Sequence, residues 1–233
     1  MKKLLVVDNE VEISQLLTTR LTILGYKVFL VSSGTEALNV FNQENFDLVL
    51  LDIVLPKLDC YEVCRQIRKK SQIPIIILTS LSNISNRILG LELGADDYVV
   101  KPFSPKELEV RITSAIRRSN LKTQTFIKNK KQILKISNMI IDRDGRKIIK
   151  NNLEIKPTNI EYNILELLIE NAGKELSRAI ILDNIWGYTP ERYVDTRIVD
   201  VHISRLRAKI EDDPRNPDLI LTARGIGYKF QQY

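Results

Sequence analysis

The residues that build soft-ligand metal centres and disulfide frameworks are scarce in this chain. Its 233 residues include two cysteines, Cys60 and Cys64, and one histidine, His202. This set cannot supply the four ligands of a structural zinc site, and the cysteine count excludes a disulfide framework. The cysteines lie one helical turn apart, so a redox pair is one interpretation. Packing in the core is the favoured one, because free cysteine is commonly buried.

Long apolar runs are also missing. No stretch reaches the roughly 18 residues of a membrane span. The run Leu4–Val7 is too short for the core of a secretory signal, and no small-residue cleavage site follows it. With 44% hydrophobic and 27% charged residues, the composition is typical of a soluble globular protein. We therefore expect no membrane partner, and we expect the protein to act in the compartment where it is made.

The positive charge is concentrated in the second half of the chain. The net charge is +6, of which the first 120 residues carry +1 and the remainder +5. A basic half favours nucleic acid as a partner, although a merely basic soluble surface would give the same count.

The first half alternates short apolar runs with helical spacing. Continuous Val/Ile/Leu runs indicate a parallel sheet buried on both faces, and the alternation predicts a doubly wound α/β fold with five strands. The predicted strands are Leu4–Val7, Val28–Val31, Leu48–Leu51, Ile75–Leu78 and Tyr98–Val100.

The second half has a different pattern. Residues 119–131 are polar and basic without a period, which predicts a linker between domains at 1–118 and 132–233. Short alternating runs then predict a small antiparallel sheet. Thr158 followed by Glu161 predicts a capping box for a helix over 157–171. Helices over about 178–185 and 195–210 and a closing hairpin near Gly225–Tyr228 complete the prediction.

Four polar residues fall at the carboxyl ends of the predicted parallel strands, where open α/β sheets bind ligands. They are Asp8, Asp52, Thr79 and Lys101. Clustered carboxylates suit magnesium, a carboxylate can attack phosphorus, and a lysine and a hydroxyl can hold phosphate oxygens. Taken singly, the aspartates could cap helices, Thr79 could fill a strand and Lys101 could be a surface residue. The combination is far more specific than any member.

The outer face of the long helix predicts contact with DNA. At 100° per residue, Val199, Ile203, Leu206 and Ile210 face the core. The opposite face carries Arg197, Val201, Ser204, Arg205 and Ala208. Small residues between arginines allow close approach to base edges, whereas a solvated face more often carries Glu and Lys. An arginine at the tip of a glycine-containing hairpin suits a minor groove.

The motifs of the first half resemble the receiver domain of bacterial response regulators. They are VVDNE at 6–10, LDIVLPKLD at 51–59, ILTS at 77–80 and GADDYVVKPFSPKEL at 94–108. The resemblance implies that Asp52 accepts phosphate from a sensor histidine kinase. It implies Mg²⁺ held by Asp8, Asn9, Asp52 and the carbonyl of Val54, with Thr79 and Tyr98 as switch residues and Lys101 on the phosphate. It also implies a cis Lys101–Pro102 bond.

The same resemblance implies a homodimer through the receivers, with ion pairs between them. These pairs would be Arg87 with Glu107, Asp97 with Arg111 and Asp96 with Arg118. Two positions depart from the family pattern. Asn9 replaces an acidic residue, which bears on metal affinity, and Cys60 replaces a glycine, which bears on local backbone geometry.

VDTRIVDVHISRLRAKIE at 194–211 and TARGIGYKF at 222–230 resemble the winged-helix DNA-binding domain of the OmpR/PhoB family. The resemblance runs from about Ile133 to the end. It implies an RNA polymerase contact at the loop 187–192, and double-stranded DNA bound by Arg197, His202, Ser204, Arg205, Arg207, Thr222 and Arg224. Within the family, the chain most resembles regulators of red-algal plastids and cyanobacteria. This implies the plastid stroma for a plastid-encoded protein and the bacterial cytoplasm otherwise.

Three functional hypotheses follow. The leading one is a phosphorylation-controlled transcription factor without enzymatic turnover. The second is an aspartyl-phosphate hydrolase or transferase. It lacks a general acid two residues after Asp52, where Val54 stands, and leaves the basic half unused. The third is a DNA-binding regulator whose receiver serves mainly as a dimerisation module, without obligatory phosphorylation; Asn9 supports it.

Overall fold

Five parallel strands form the sheet of the first half of the chain, in the order β2-β1-β3-β4-β5. The structure is a computed structural model that describes residues 1–56, 58–80, 84–119, 133–187 and 195–232, with the backbone alone at 84–87. The chain divides into two units, Met1–Ser119 and Asn120–Tyr233. Ser119 ends a helix, and the rest of the predicted linker lies outside the described residues.

The elements of the first unit alternate between strand and helix, which confirms the predicted doubly wound α/β architecture. They are β1 Lys3–Val7, α1 Val11–Ile23, β2 Lys27–Val31, α2 Gly34–Gln43, β3 Leu48–Asp52, α3 Cys60–Lys70, β4 Ile75–Thr79, α4 Ile84–Glu92, β5 Asp97–Val100 and α5 Pro105–Ser119.

Both faces of this sheet are buried. Leu4 and Val6 of β1 lie in one core cluster with residues of α1 and α5, while Leu5 and Val7, which point to the opposite face, are equally buried. The strand order reverses at β1 and β3, so the carboxyl ends of these neighbours form the crevice in which such sheets bind ligands.

The described part of the second unit contains two antiparallel sheets and three helices. Its elements are β6 Ile133–Ile136, β7 Met139–Asp142, β8 Lys147–Lys150, β9 Leu153–Ile155, α6 Asn159–Glu170, β10 Leu176–Ser177, α7 Arg178–Trp186, α8 Arg197–Ile210, β11 Ile220–Ala223 and β12 Gly227–Phe230. β6–β9 form a four-stranded sheet, and β12 lies between β10 and β11. The hairpin β11–β12 is called the wing below.

Local signals in the sequence account for several element boundaries. The capping box is present: Thr158 accepts from the Glu161 amide and Glu161 accepts from the Thr158 amide. Gly187 ends α7 in the left-handed conformation that glycine favours. A Cβ at Gly227 would overlap the carbonyl oxygen of Leu176, so only glycine lets β12 approach β10 here. No helix in the described ranges is long and apolar enough to cross a membrane.

Candidate functional site

Lys101 lies among carboxylates at the carboxyl edge of the parallel sheet. Its Nζ is 3.0 Å from Asp8 Oδ2 and 2.8 Å from Asp52 Oδ2. The same Nζ is 2.7 Å from Glu10 Oε1. Asp8 follows β1, Asp52 ends β3 and Lys101 follows β5, so strand ends distant in sequence form one pocket. The Lys101–Pro102 bond is cis, as predicted.

The two aspartates are held in place by backbone groups. Asp8 Oδ1 accepts from the Glu10 amide at 2.8 Å, and Asp52 Oδ1 accepts from the Val54 amide at 3.2 Å. The side chain of Ser14 donates to the Asp8 carbonyl at 3.1 Å. Each aspartate therefore has one oxygen bonded to the backbone and the other directed to Lys101. Both aspartates are buried.

Glu10 completes the acidic cluster. Ligand oxygens of Asp8, Glu10 and Asp52 lie within 4.8 Å of one another, a spacing that fits a hard cation with oxygen ligands about 2.1 Å away. Asn9 is exposed and contributes to a neighbouring cavity with Gln15. Glu10 precedes α1 but makes no side-chain capping bond, so its carboxylate reaches Lys101. Asn9 directly follows Asp8, and its predicted place among the magnesium ligands stays a prediction.

Burial and ion pairing act in opposite directions on the pKa values of the pocket. Burial raises the pKa of Asp52, and the hydrogen bond and charge of Lys101 act against the rise. Burial alone would lower the pKa of Lys101, but hydrogen bonds to Asp52, Glu10 and Asp8 outweigh it and raise that pKa. Lys101 is thus a fixed cation in the pocket, able to hold the oxygens of an added phosphoryl group.

The residues assigned to the switch are placed differently from each other. Thr79 ends β4 and is buried, whereas Tyr98 in β5 is half-buried. The Lys101 amide donates to the Thr79 carbonyl at 2.7 Å, so the ends of β4 and β5 are joined beside the pocket.

Cys60 and Cys64 are both buried, as core packing requires, and burial raises the pKa of the Cys60 thiol. Cys60 begins α3 without a positive φ.

Residues of two predicted dimer pairs already have ion-pair partners within their own receiver. Asp96 is 3% exposed and pairs within its own receiver with Arg68 of α3, at 2.6 Å. Arg118 is also buried, so the predicted Asp96–Arg118 pair between receivers would require both side chains to rearrange, and it stays a prediction.

Arg111 is likewise engaged within its own receiver. It bonds Asp97 Oδ2 at 2.9 Å and Glu107 Oε1 at 2.9 Å. A pair between Asp97 and Arg111 of two receivers therefore requires an exchange of partners. The side chain of Arg87 lies outside the described residues, so its predicted pair with Glu107 stays a prediction.

Helix α8 presents a short exposed stripe. Arg197, Ser204 and Ala208 are exposed. The predicted core face is confirmed, because Val199, Ile203, Leu206 and Ile210 are fully buried. Val201, predicted on the outer face, is buried at the margin of the stripe.

One residue predicted to face DNA is buried inside the domain, and another is paired within it. His202 is fully buried, with its ring centroid 5.3 Å from that of Trp186 in α7. Arg205 lies 2.8 Å from Glu161, and its side chain is 13% exposed. A helical wheel cannot show that α7 and α6 pack beside the outer stripe. The burial of His202 follows from that packing, whereas DNA contact by Arg205 stays a prediction.

Glu161 of α6 links two helices through one carboxylate. Its Oε1 pairs with Arg205 and its Oε2 with Lys209 at 2.6 Å. Burial alone would raise the pKa of Glu161, but the charges of Arg205 and Lys209 outweigh it and lower that pKa below its ordinary 4.5. The capping-box residue therefore also anchors α8, a role that the sequence pattern did not reveal.

The residues predicted to contact DNA at the wing differ in their surroundings: one is exposed at the tip, and the others form hydrogen bonds at the base. Arg224 is exposed at the turn. Arg207 of α8 donates to the carbonyl of Ile220 at 3.0 and 2.6 Å and to Thr222 Oγ1 at 2.9 Å. Thr222 accepts this bond and is itself exposed. Arg207 of α8 thus binds the base of the wing through its guanidinium group.

The fold and these two sites are those of a response regulator with a DNA-binding output domain. Residues 4–113 match the family described as Response regulator receiver domain, and residues 152–230 match Transcriptional regulatory protein, C terminal. The structure of DrrB, an OmpR/PhoB homolog from Thermotoga maritima, is 35% identical with a TM-score of 0.51, and a RitR mutant structure is 27% identical with a TM-score of 0.75; both alignments cover 100% of each chain.

Relatives of similar length carry one description. The "Probable transcriptional regulator ycf27" of Porphyra purpurea is 57% identical over 231 residues, covering 99% of this chain and 95% of that protein. The protein of the same description from Cyanophora paradoxa is 56% identical, covering 99% and 96%. The chain therefore belongs to the OmpR/PhoB family of two-component response regulators, which are DNA-binding transcriptional regulators.

Proposed function

We propose that a sensor histidine kinase phosphorylates this regulator at Asp52, and that the phosphorylated receiver dimerises and thereby strengthens DNA binding. One observation carries the proposal: Asp52 is buried at the end of β3, and its Oδ2 lies 2.8 Å from Lys101 Nζ. A carboxylate held beside a fixed cation in a crevice is arranged to receive a phosphoryl group.

In the transfer, a carboxylate oxygen of Asp52 forms a bond to phosphorus as the phosphorus–nitrogen bond of the donor phosphohistidine breaks. Lys101 neutralises charge on the phosphoryl oxygens, and Thr79 donates its hydroxyl to one of them. Asp8, Asp52 and the Val54 carbonyl would hold magnesium, with Asn9 and Glu10 as the further candidate ligands. The positive charge of the ion would offset the negative charge of the reacting groups. The carboxylate spacing on which this assignment rests is that of the acidic cluster.

The output follows from a population shift. Movement of Thr79 toward the phosphoryl group and inward turning of Tyr98 would favour a receiver face that pairs with a second copy. Partner exchange at Arg111 would supply ion pairs to this dimer, together with Asp97 and Glu107. Paired DNA-binding domains then occupy two half-sites at once, which raises the apparent affinity.

On DNA, we propose that α8 enters the major groove with Arg197 and Ser204 exposed, and that Arg224 reaches the minor groove. RNA polymerase would contact the loop 187–192, of which residues 188–192 lie outside the described ranges. The relatives named ycf27 support the plastid stroma as the location if the chain is plastid-encoded, and the bacterial cytoplasm otherwise.

The test uses the full chain with acetyl phosphate and magnesium. The expected result is one adduct at Asp52 by mass spectrometry, a dimer by sedimentation and tighter binding of operator DNA, all lost in Asp52→Asn. Asp59→Asn, which alters an exposed aspartate that caps α3, is the matched control and should keep all three responses. Equal DNA affinity with and without phosphate would favour the alternative, a receiver that is mainly a dimerisation module.

A further inference from the structure

Tyr228 in the wing lies at the centre of a polar network that joins the wing to two helices. Its hydroxyl donates to Asp200 Oδ1 of α8 at 2.7 Å. Arg178 Nε, at the start of α7, donates to the same oxygen at 2.7 Å. The guanidinium carbons of Arg178 and Arg207 lie 5.1 and 5.4 Å from the centroid of the Tyr228 ring, within cation–π range.

The two α8 members of the network lie on one side of the helix. Asp200 and Arg207 are seven residues apart, which is two helical turns. Asp200 accepts a hydrogen bond from Tyr228 of the wing. Arg207 donates hydrogen bonds to the Ile220 carbonyl and to Thr222. Arg178 adds a long hydrogen bond to the Ile226 carbonyl near the tip, at 3.4 Å. Both strands of the wing are therefore tied to the helix that carries the DNA-facing stripe.

The charged and polar groups of the network are occupied by one another, which leaves them little capacity to contact DNA directly. An unpaired Asp200 on a DNA-reading helix would repel phosphate, and Arg178 neutralises it at 2.7 Å. Arg207 uses Nε and Nη2 on the wing backbone and on Thr222. Tyr228 is 5% exposed, so neither its ring nor its hydroxyl is open to a ligand. The network instead fixes the position of the wing against α7 and α8.

We infer that Arg178, Asp200, Arg207 and Tyr228 form a clamp that sets the position of the wing relative to α8, and that these four are positioning residues for DNA binding. This rests on the proposed DNA-binding mode and deepens it. The exposed groups on α8 and at Arg224 must reach two different grooves of one duplex, and the clamp fixes the separation between them. A rigid wing pays its ordering entropy on folding instead of on binding.

The test is a double-mutant cycle on the full chain, with an operator duplex labelled for fluorescence anisotropy. Tyr228→Phe keeps the ring and removes the bond to Asp200, and Arg224→Ala removes the tip contact. We expect each single change to weaken binding, by about threefold and about tenfold respectively, and the double variant to bind about as Arg224→Ala does. The expected coupling arises because the clamp affects affinity through Arg224, so releasing the wing has no further effect once Arg224 is removed.

Tyr162→Phe is the matched control. Its hydroxyl is buried without a hydrogen-bond partner among the described residues, it lies in α6, and its effect should multiply independently with that of Arg224→Ala. Asp200→Asn, which releases Arg178, is a second clamp variant in case Tyr228→Phe folds poorly. Fluorescence of Trp186, the single tryptophan, reports whether the DNA-binding domain of each variant is folded.

Amide hydrogen exchange without DNA provides an independent arm. Amides of β11 and β12 should exchange faster in Tyr228→Phe than in the parent chain, while those of β6–β9 should not change. Unaltered exchange in the wing, or independent effects of Tyr228→Phe and Arg224→Ala on binding, would overturn the clamp. A parent chain that binds no duplex would refute the proposed function instead, and the exchange arm would still decide the clamp.

Discussion

Glu10 occupies a position where the sequence pattern indicates the start of a helix, and its carboxylate nonetheless lies 2.7 Å from Lys101. The strand-end rule correctly predicted that Asp8, Asp52 and Lys101 would meet, because parallel strands bring their carboxyl ends to one edge. It could not place Glu10, since the direction of a side chain at a helix start depends on which partner it finds.

The first prediction concerns magnesium. Glu10→Gln removes one of three clustered charges and should weaken magnesium binding by about tenfold, or about 1.4 kcal/mol. Asn9→Asp should tighten it, because it adds a negative charge next to Asp8. Isothermal titration of the full chain measures both, with Glu12→Gln as a nearby control. A strong gain in Asn9→Asp with no loss in Glu10→Gln would show that position 9 is the ligand.

The second prediction concerns Glu161 and pH. Its folded pKa is lowered below 4.5, so its ion pairs contribute full stability above the unfolded pKa. That contribution is lost as the pH falls through the folded pKa. Glu161→Gln should therefore reduce the free energy of unfolding at neutral pH by about 1–3 kcal/mol and flatten its decline below pH 4.5.

Urea unfolding followed by Trp186 fluorescence measures this in the C-terminal unit alone, because Trp186 is the single tryptophan. Glu166→Gln is the control, since it removes a carboxylate of the same helix whose partner is Arg143. An unchanged acid profile in Glu161→Gln would contradict the assignment of the buried ion pairs.

At the scale of elements, residues 96 and 97 at the start of β5 face different helices. Asp96 accepts from Arg68 of α3 and from the Ile75 amide at 2.8 Å, while Asp97 accepts from Arg111 of α5. The sequence shows only two consecutive aspartates. Whether each aspartate pairs with α3 or with α5 depends on the face of the sheet to which its side chain points and on the nearest arginine.

The third prediction separates these two roles. Asp96→Asn should destabilise the receiver by about 1–3 kcal/mol and leave phosphate-dependent dimerisation intact. Arg111→Glu should prevent that dimerisation, because it reverses the charge at the site of partner exchange. Sedimentation with acetyl phosphate and thermal unfolding by circular dichroism measure the two effects. Loss of the dimer in Asp96→Asn without loss of stability would support the predicted Asp96–Arg118 pair between receivers.

Helix α8 shows where sequence reasoning at this scale succeeds and fails. Apolar periodicity predicted its buried face correctly, because burial against a single core repeats with the helical period. The assignment of His202 failed and the ion pair of Arg205 was missed, because their neighbours belong to other elements: Trp186 to α7 and Glu161 to α6. A charged residue on a helical wheel is compatible with both solvent and a buried counter-ion.

At the scale of the whole molecule, the uneven charge distribution governs how the protein meets DNA. The excess of +5 in the last 113 residues predicts affinity that falls as salt rises, because bound phosphates release counter-ions. Many of the basic side chains in the DNA-binding domain are engaged by internal partners, so the phosphate contacts should be fewer than that charge suggests.

The fourth prediction tests this. Arg224→Ala should reduce the slope of log affinity against log salt by about 1 per protomer. Arg143→Ala should not change it, because Arg143 is paired with Glu166. Anisotropy titrations over a range of potassium chloride give both slopes. A slope that responds to Arg143 and not to Arg224 would place the DNA on a different face of the domain.

Gly227 has a consequence for how new operator preferences arise. Any side chain there meets the carbonyl oxygen of Leu176, so position 227 admits only glycine, whereas Ser204, Ala208, Arg224 and Ile226 are exposed. A gene library randomised at those four codons alone would explore binding preference on an unchanged scaffold. After duplication of the gene, the two copies could diverge in their targets by the same few substitutions while both proteins continued to fold.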